Sequence, residues 1–370
     1  MRPLVVLGLL SAACSPPRVP AHVDLSPQTA TRPVLAPRAR SARAFSWTAT
    51  DLPAGFHLVA AAGHAIVYLA AAHELRRSTD GGATFVELAL PPPASPHDDG
   101  MPRAMWAEGD RLVVATEYAV FGSADRGASW SRLAEPTLPS GPPGVPSPIQ
   151  AVWGARADLY FATNVGEVHH SSDAGRTWRV WSSHTGGAFL GLGGAEDGTL
   201  AVVGCFGFFF RSSDRGASWT RGASFGDDTC AALVAAADAR RFAVVRIDRE
   251  LVRTEDAGAH WERVDAGIAP HAVSAAWNDW IVVGDGVARS LDGGVTWRRE
   301  SVSLGPPAPF VADRYRGGKL VLVGVARAGD EAYAVGRRTD ASGEDEDGEH
   351  AVIAIARSPR ALSLSSARAP

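Results

Sequence analysis

Along most of this chain apolar residues come in short runs of strand length, set apart by glycine and polar turn residues. No helical period of useful length lies between them. Phe189–Leu192, Thr199–Gly204 and Gly207–Arg211 read as three consecutive strands. Runs equivalent to the second of these are Ile66–Leu69, Leu112–Val114, Leu159–Phe161, Phe242–Val245 and Trp280–Val283. Leu320–Val325, Glu331–Gly336 and Ala351–Ser358 repeat the triplet near the C-terminal end, and Phe45–Thr50 stands as an isolated strand near the other. The pattern predicts an all-β chain of short strands.

A turn motif recurs at a fixed place in this pattern. Ser78-Thr79-Asp80-Gly81-Gly82-Ala83-Thr84-Phe85 returns with its aspartate at Asp125, Asp173, Asp214, Asp256 and Asp292 and its aromatic residue at Trp130, Trp178, Trp219, Trp261 and Trp297. The period falls in the range of propeller and solenoid repeats. The Ser/Thr and Asp side chains accept bonds from backbone N–H groups of the turn, the glycine suits a positive φ, and the aromatic side chain anchors the next strand. These aspartates are turn braces first; roles as acids or metal ligands come second.

The motif resembles the Asp-box, or BNR repeat, of sialidases and related β-propellers, where it joins the third and fourth strands of a blade. The resemblance implies an all-β, seven-bladed β-propeller of four-stranded antiparallel blades. Six blades carry a box. The C-terminal triplet supplies three strands of a seventh, and residues 44–50, with Trp47 in the place of Trp130 or Trp219, supply its outer strand and close the ring. Six complete blades with decoration is the alternative.

The N-terminus reads as an address. Met1-Arg2 is followed by the apolar run Leu4–Leu10 and by Ser11-Ala12-Ala13-Cys14. The run is too short to span about 30 Å of hydrocarbon. It resembles a bacterial lipoprotein signal with Cys14 as the lipidated residue, although Ser11 holds the usual leucine position. Ordinary secretion, with cleavage before Cys14, is the alternative. The expected organisation is a signal peptide over 1–13, a Pro-rich tether over 14–43, the propeller over 44–358 and a tail over 359–370. This places the protein in a bacterial cell envelope, lipid-anchored at the outer membrane, or periplasmic or secreted.

Composition alters this picture little. The 370 residues carry 36 Lys+Arg and 40 Asp+Glu, a net charge of -4, which disfavours a nucleic-acid binder. Length alone would suggest two or three domains, a prior that the repeat overrules. Lys319 is the single lysine, in a context that fits neither a P-loop nor a Schiff base.

In a propeller the connections between blades and the turns between second and third strands share the face opposite the boxes. The long segments Pro91–Pro102, Pro136–Pro148, Ser301–Gly318 and Thr339–His350, the last with the acidic run 344–349, all map there and mark it as the expected binding side. Cys205 and Cys230 end on the same face and form either a disulfide or two buried thiols. Trp106, Trp153 and Trp277 fall at similar places in expected first strands near the channel. They read as packing between blades or, with Tyr315, as part of a binding platform.

Enzyme chemistry finds little support. The sialidase superfamily needs an arginine triad and an Arg-Ile-Pro signature; the nearest strings are Arg246-Ile247-Asp248 and Arg314-Tyr315-Arg316. Glu117, Asp248, Glu250 and Asp285 lie near turns, but nothing in their spacing selects a glycosidase pair. Gly222-Ala223-Ser224-Phe225-Gly226 matches a nucleophile pattern without the helix that the motif requires. His169 and His170 face opposite sides of one strand and do not share a metal. The passage Gly207–Asp214 most resembles the photosystem II stability/assembly-factor family. That resemblance implies an exported, non-catalytic seven-bladed propeller without cofactor or metal. The family binds a partner protein; for this chain the expectation is a monomer whose partner is an envelope protein or glycan. A sialidase-like glycoside hydrolase is the alternative.

Overall fold

The computed structural model describes residues 45–52, 55–63, 65–96, 98–136, 147–226, 229–305, 319–339 and 351–357. The strands form seven sheets. The first blade runs Leu58–Ala62, Ile66–Ala71, Glu74–Ser78 and Val86–Leu88, and its strands pair antiparallel in chain order. Five blades of the same order follow over 104–134, 149–182, 189–221, 231–264 and 270–300. The first strand of each blade touches the first strand of the next, and the contact from the seventh to the first completes a ring.

The seventh blade is built from both ends of the described chain. Leu320–Ala328, Glu331–Arg338 and Ala351–Arg357 are its inner three strands, and Ser46–Leu52 lies antiparallel on the last of them. The sheet does not stop at four strands. Val302–Leu304 runs parallel to Ser46–Leu52 and covers its outer edge, so part of the expected inter-blade loop Ser301–Gly318 is a fifth strand. An unpaired outer edge invites pairing with another chain, and this short strand covers Trp47, Thr48 and Ala49 of that edge.

The second strands read as unbroken apolar runs because each is covered on both faces. Val67, Leu112, Phe161, Val202, Val244, Val282 and Val335 are all buried. The described residues form seven apolar clusters rather than one core, and each cluster draws on two adjacent blades. Glycine sets the closest approaches between blades. A Cβ on Gly194 would stand 2.6 Å from the Trp153 ring, and one on Gly154 would stand 3.0 Å from Trp106. Both tryptophans are therefore wedges between blades.

Six box turns repeat one set of bonds. In the first, Ser78 Oγ donates to Asp80 Oδ1 at 2.7 Å and accepts from Gly82 N at 2.8 Å. Asp80 accepts from Thr84 N at 2.9 Å and from Thr84 Oγ1 at 2.6 Å. His260 takes the Thr/Ser place in the fifth box. Each box also donates a backbone bond to the first-to-second-strand turn of its own blade, as in Arg126 N to Asp110 O and Gly293 N to Asn278 O. The box tryptophans reach the preceding blade: the indole N–H of Trp130, Trp178 and Trp261 donates to the carbonyls of Ala89, Leu133 and Ala223. Trp219 stacks on Trp181 instead, and Trp297 bonds the Gly294 carbonyl of its own turn.

The box bonds hold the aspartates in their charged form. Asp125 and Asp214 are lowered to about 2, chiefly by the Ser129 and Ser218 hydroxyls. Burial acts against Asp292, but the bonds from Thr296 and Ser290 outweigh it, again to about 2. Asp80 and Asp173, bonded by Thr84 and Thr177, and Asp256, bonded first by the His260 backbone, lie lower still. On acidification the unfolded chain, with aspartates near 3.8, takes up these protons first. Stability present above about pH 4 is therefore lost as pH falls through about 2. Melting temperature is expected to hold level down to about pH 4 and to drop below it; a flat profile to pH of about 2 would exclude the boxes as stability determinants.

Candidate functional site

The face opposite the boxes gathers the second-to-third-strand turns and the inter-blade connections. The candidate carboxylates among its described residues are engaged. Glu117 and Asp99 share Arg103, at 3.4 and 2.7 Å. Asp98 is buried and accepts from Thr116 Oγ1 at 2.7 Å and Ala94 N at 3.0 Å. Asp248 and Glu250 both bind Arg246, at 2.6 and 2.8 Å, and Glu250 also holds Arg263 at 2.8 Å. Asp285 accepts from Ala269 N at 2.9 Å. A glycosidase needs one protonated and one ionised carboxyl facing a substrate; these acids instead neutralise arginines or brace loops. No group of three or more metal-ligating side chains is present among the described residues.

Blades four and five present the main apolar feature of this face. Phe206 and Ile247 sit in successive second-to-third-strand turns and are 62% and 61% exposed. Phe206 holds a positive φ of 59° and packs edge-on against Phe208, 6.1 Å away, over which Arg221 lies at 4.9 Å. Between the two turns Cys205 bridges Cys230 as an isolated antiparallel pair, with the sulfurs 2.02 Å apart. The Ile247 amide donates to the Cys230 carbonyl and the Gly207 amide to that of Thr229. Both exposed side chains are thus fixed to the start of blade five.

Beside them the inner strands carry a repeated irregularity. In blades three to six the register shifts at the second residue of the inner strand, placing a β-bulge at Gln150, Leu190, Ala232 and His271, and in blade seven it shifts at the fourth, Val323. Bulges re-aim side chains and gather near functional sites. His271 titrates below its ordinary value, first because it is half-buried and then because Arg249 and Arg337 repel a second positive charge. It is neutral at physiological pH, offering one donor and one acceptor.

Other expected site residues fall elsewhere. Trp106 and Trp153 are partly buried between blades. Trp277 corrects the expectation of a strand residue on the binding side: it occupies the turn between the strands Pro270–Ala276 and Asp279–Gly284, on the box face. Tyr315, Arg314, Arg316, the acidic run 344–349 and Cys14 lie outside the described residues. His169 stacks on Phe161 and His170 on Tyr160, each at 4.3 Å, on opposite faces of their strand. The exposed turn residues Phe206 and Ile247 were missed because apolar residues beside strands read as strand ends; the only local sign was their position next to Cys205 and Arg246.

With this geometry in view, the chain can be placed among known proteins. Photosystem II assembly lipoprotein Ycf48 of Synechococcus sp. (strain CC9902) is 26% identical over 248 residues, covering 64% of this chain and 72% of that protein. A solved YCF48 bound to a D1 peptide superposes with a TM-score of 0.59 at 15% identity, over 85% of this chain and 97% of that one. A streptogramin B lyase superposes equally well, with a TM-score of 0.60 at 10% identity over 83% and 97%. A shared ring therefore separates neither binder from enzyme. The sequence does separate them, because the family described as photosynthesis system II assembly factor YCF48 matches residues 46–319. The chain belongs to that family of assembly-factor propellers.

Proposed function

We propose that the chain is a non-catalytic binding propeller that holds a segment of a partner protein against its inter-blade loop face, across blades four and five. The observation that carries this reading is the pair Phe206 and Ile247, two large apolar side chains exposed on adjacent turns. Exposed apolar anchors with an arginine beside them are the usual energetic centre of a protein interface. The D1 peptide held by a solved relative supports a protein segment, rather than a glycan, as the partner of this chain. Lipidation of Cys14 would tether the ring to a membrane, in keeping with the lipoprotein named in Synechococcus.

A photo-crosslinking residue at 206 or 247 of the full chain, in cells, is expected to yield a discrete protein adduct. Positions 291 and 295, exposed on the box face, are expected to yield none. Adducts from 291 and 295 alone would place the partner on the other side. Mass spectrometry of the mature N-terminus decides the tether, with an unmodified Cys14 ending that part of the proposal. The bridge between Cys205 and Cys230 spans 25 residues and is expected to contribute about 3 kcal/mol by loop closure. Chemical denaturation of the double Cys→Ser variant would show that loss, and equal stability of the two chains would deny the bridge a structural role.

A further inference from the structure

The box face, to which the proposed function assigns nothing, carries an unusual residue. Trp277 is 63% exposed and holds a φ of +51°. Its two-residue turn with Asn278 has counterparts in Gly109-Asp110, Arg156-Ala157 and Gly329-Asp330, whose first residues have φ values of 59°, 56° and 59°. Two of those three counterparts are glycine, the residue that bears this conformation without strain. A bulky aromatic side chain there is an outlier, and such strain persists only where surrounding bonds over-determine it. Here they do. The Trp277 carbonyl accepts from Trp280 Nε1 at 2.8 Å, the Asn278 carbonyl accepts from Gly293 N at 2.9 Å, and the Asn278 side chain accepts from Arg241.

The indole borders a cleft of about 530 Å³ that spans the first turns of blades four, five and six. This lies within the range of about 300–1,000 Å³ typical of small-ligand sites. Asp197, Asp238, Arg240, Arg241 and Glu255 line the rest. Arg241 is fixed by Asp238 at 2.7 Å, and Glu255 is backed by Arg253 at 2.6 Å. Three carboxylates and two guanidiniums line the cleft, and the buried Arg253 guanidinium behind Glu255 offsets the third carboxylate. A strongly cationic or anionic ligand gains no net attraction from such a balanced rim. What the rim offers is a fixed ring of donors and acceptors around one exposed aromatic plane.

We infer that this cleft is a binding site for a neutral oligosaccharide, with Trp277 as its stacking platform. A pyranose ring has an apolar face of C–H bonds that lies flat on an indole, and its edge hydroxyls both donate and accept. Carboxylates and guanidiniums held in place satisfy such hydroxyls in pairs. The strained turn is the structural cost of presenting the indole to solvent.

Calorimetric titration of the full chain with cellotriose, chitotriose and maltotriose tests the inference. At least one is expected to bind with a Kd of about 0.1–1 mM. Trp277→Ala is expected to weaken that binding by about tenfold or more, while Phe206→Ala leaves it unchanged, which separates this site from the loop face. Trp277→Gly is expected to lose binding and at the same time to raise the melting temperature of the free protein, because glycine relieves the turn. Absence of binding by all three sugars at about 10 mM would overturn the inference, as would binding that survives Trp277→Ala.

Discussion

Asp51→Ala is expected to remove about 3–5 kcal/mol of stability, because it strands a buried guanidinium. Arg338 Nε donates to Asp51 Oδ1 at 2.6 Å, and the two side chains are only 3% and 2% exposed. Asp51 lies on the closing strand and Arg338 on the second strand of the same blade, 287 residues away in sequence. Loss of the carboxylate leaves a buried charge with no other ion-pair partner among the described residues. The cost comes from isolation of the charge rather than from the strength of the pair, so replacement of both partners is expected to behave differently. Asp51→Leu combined with Arg338→Met is expected to recover most of the loss, since well-packed apolar pairs commonly equal a buried ion pair. Urea denaturation of the two variants separates these cases. A double variant as unstable as the single one would mean that the pair is needed for packing or register rather than for charge balance.

Trp47→Ala is expected to cost a similar amount, about 3–5 kcal/mol, for a different reason. Trp47 is among the largest fully buried side chains and packs among Ala272, Ile281 and Val283 of blade six. Its indole N–H donates to Glu300 Oε2 at 2.5 Å, on the outer strand of that blade. This repeats what Trp130 does to Ala89, with a side-chain acceptor in place of a carbonyl. Truncation both opens a cavity and deprives a buried carboxylate of a donor. Trp47→Phe keeps much of the volume and removes the donor, so it is expected to cost only about 1–3 kcal/mol. Denaturation curves for the two variants divide the effect, and a phenylalanine variant as damaged as the alanine one would assign the whole effect to the hydrogen bond. In both cases limited proteolysis is expected to release residues 46–52 first, because each variant removes one of the side chains that hold that outer strand to its neighbours.

Most of the ring could be read in the sequence, since its rules are local. Each box needs only eight consecutive residues, and a second strand covered on both faces announces itself as an apolar run. Even the closing strand was legible, because Trp47 repeats the position of a box tryptophan. Three features were not. Val302–Leu304 is three residues long and gains its strand character from the edge that it covers. Trp277 follows Ala275 and Ala276 as if the strand continued, and nothing in the composition marks a turn that elsewhere uses glycine. The link between Asp51 and Arg338 depends on which strands become neighbours, and spacing along the chain does not encode that. The candidate face was legible as a location, through its long connections, but not in its particulars. Phe206 and Ile247 stand out only once the turns that carry them are known to be solvent-facing.

The pairing of Ser46–Leu52 with Ala351–Arg357 also sets an order of events. During synthesis the strand that seals the ring emerges before all the other described strands and its antiparallel partner after them. Until then the early strand lacks its antiparallel neighbour and has only the short parallel strand Val302–Leu304 and the blade-six side chains around Trp47 to hold it. Blades one to six can pack against one another as they appear, since each cluster needs only two neighbours, but the circle cannot shut until the final strand arrives. Closure of the seventh blade therefore waits on the strand Ala351–Arg357, after the first six blades have been made.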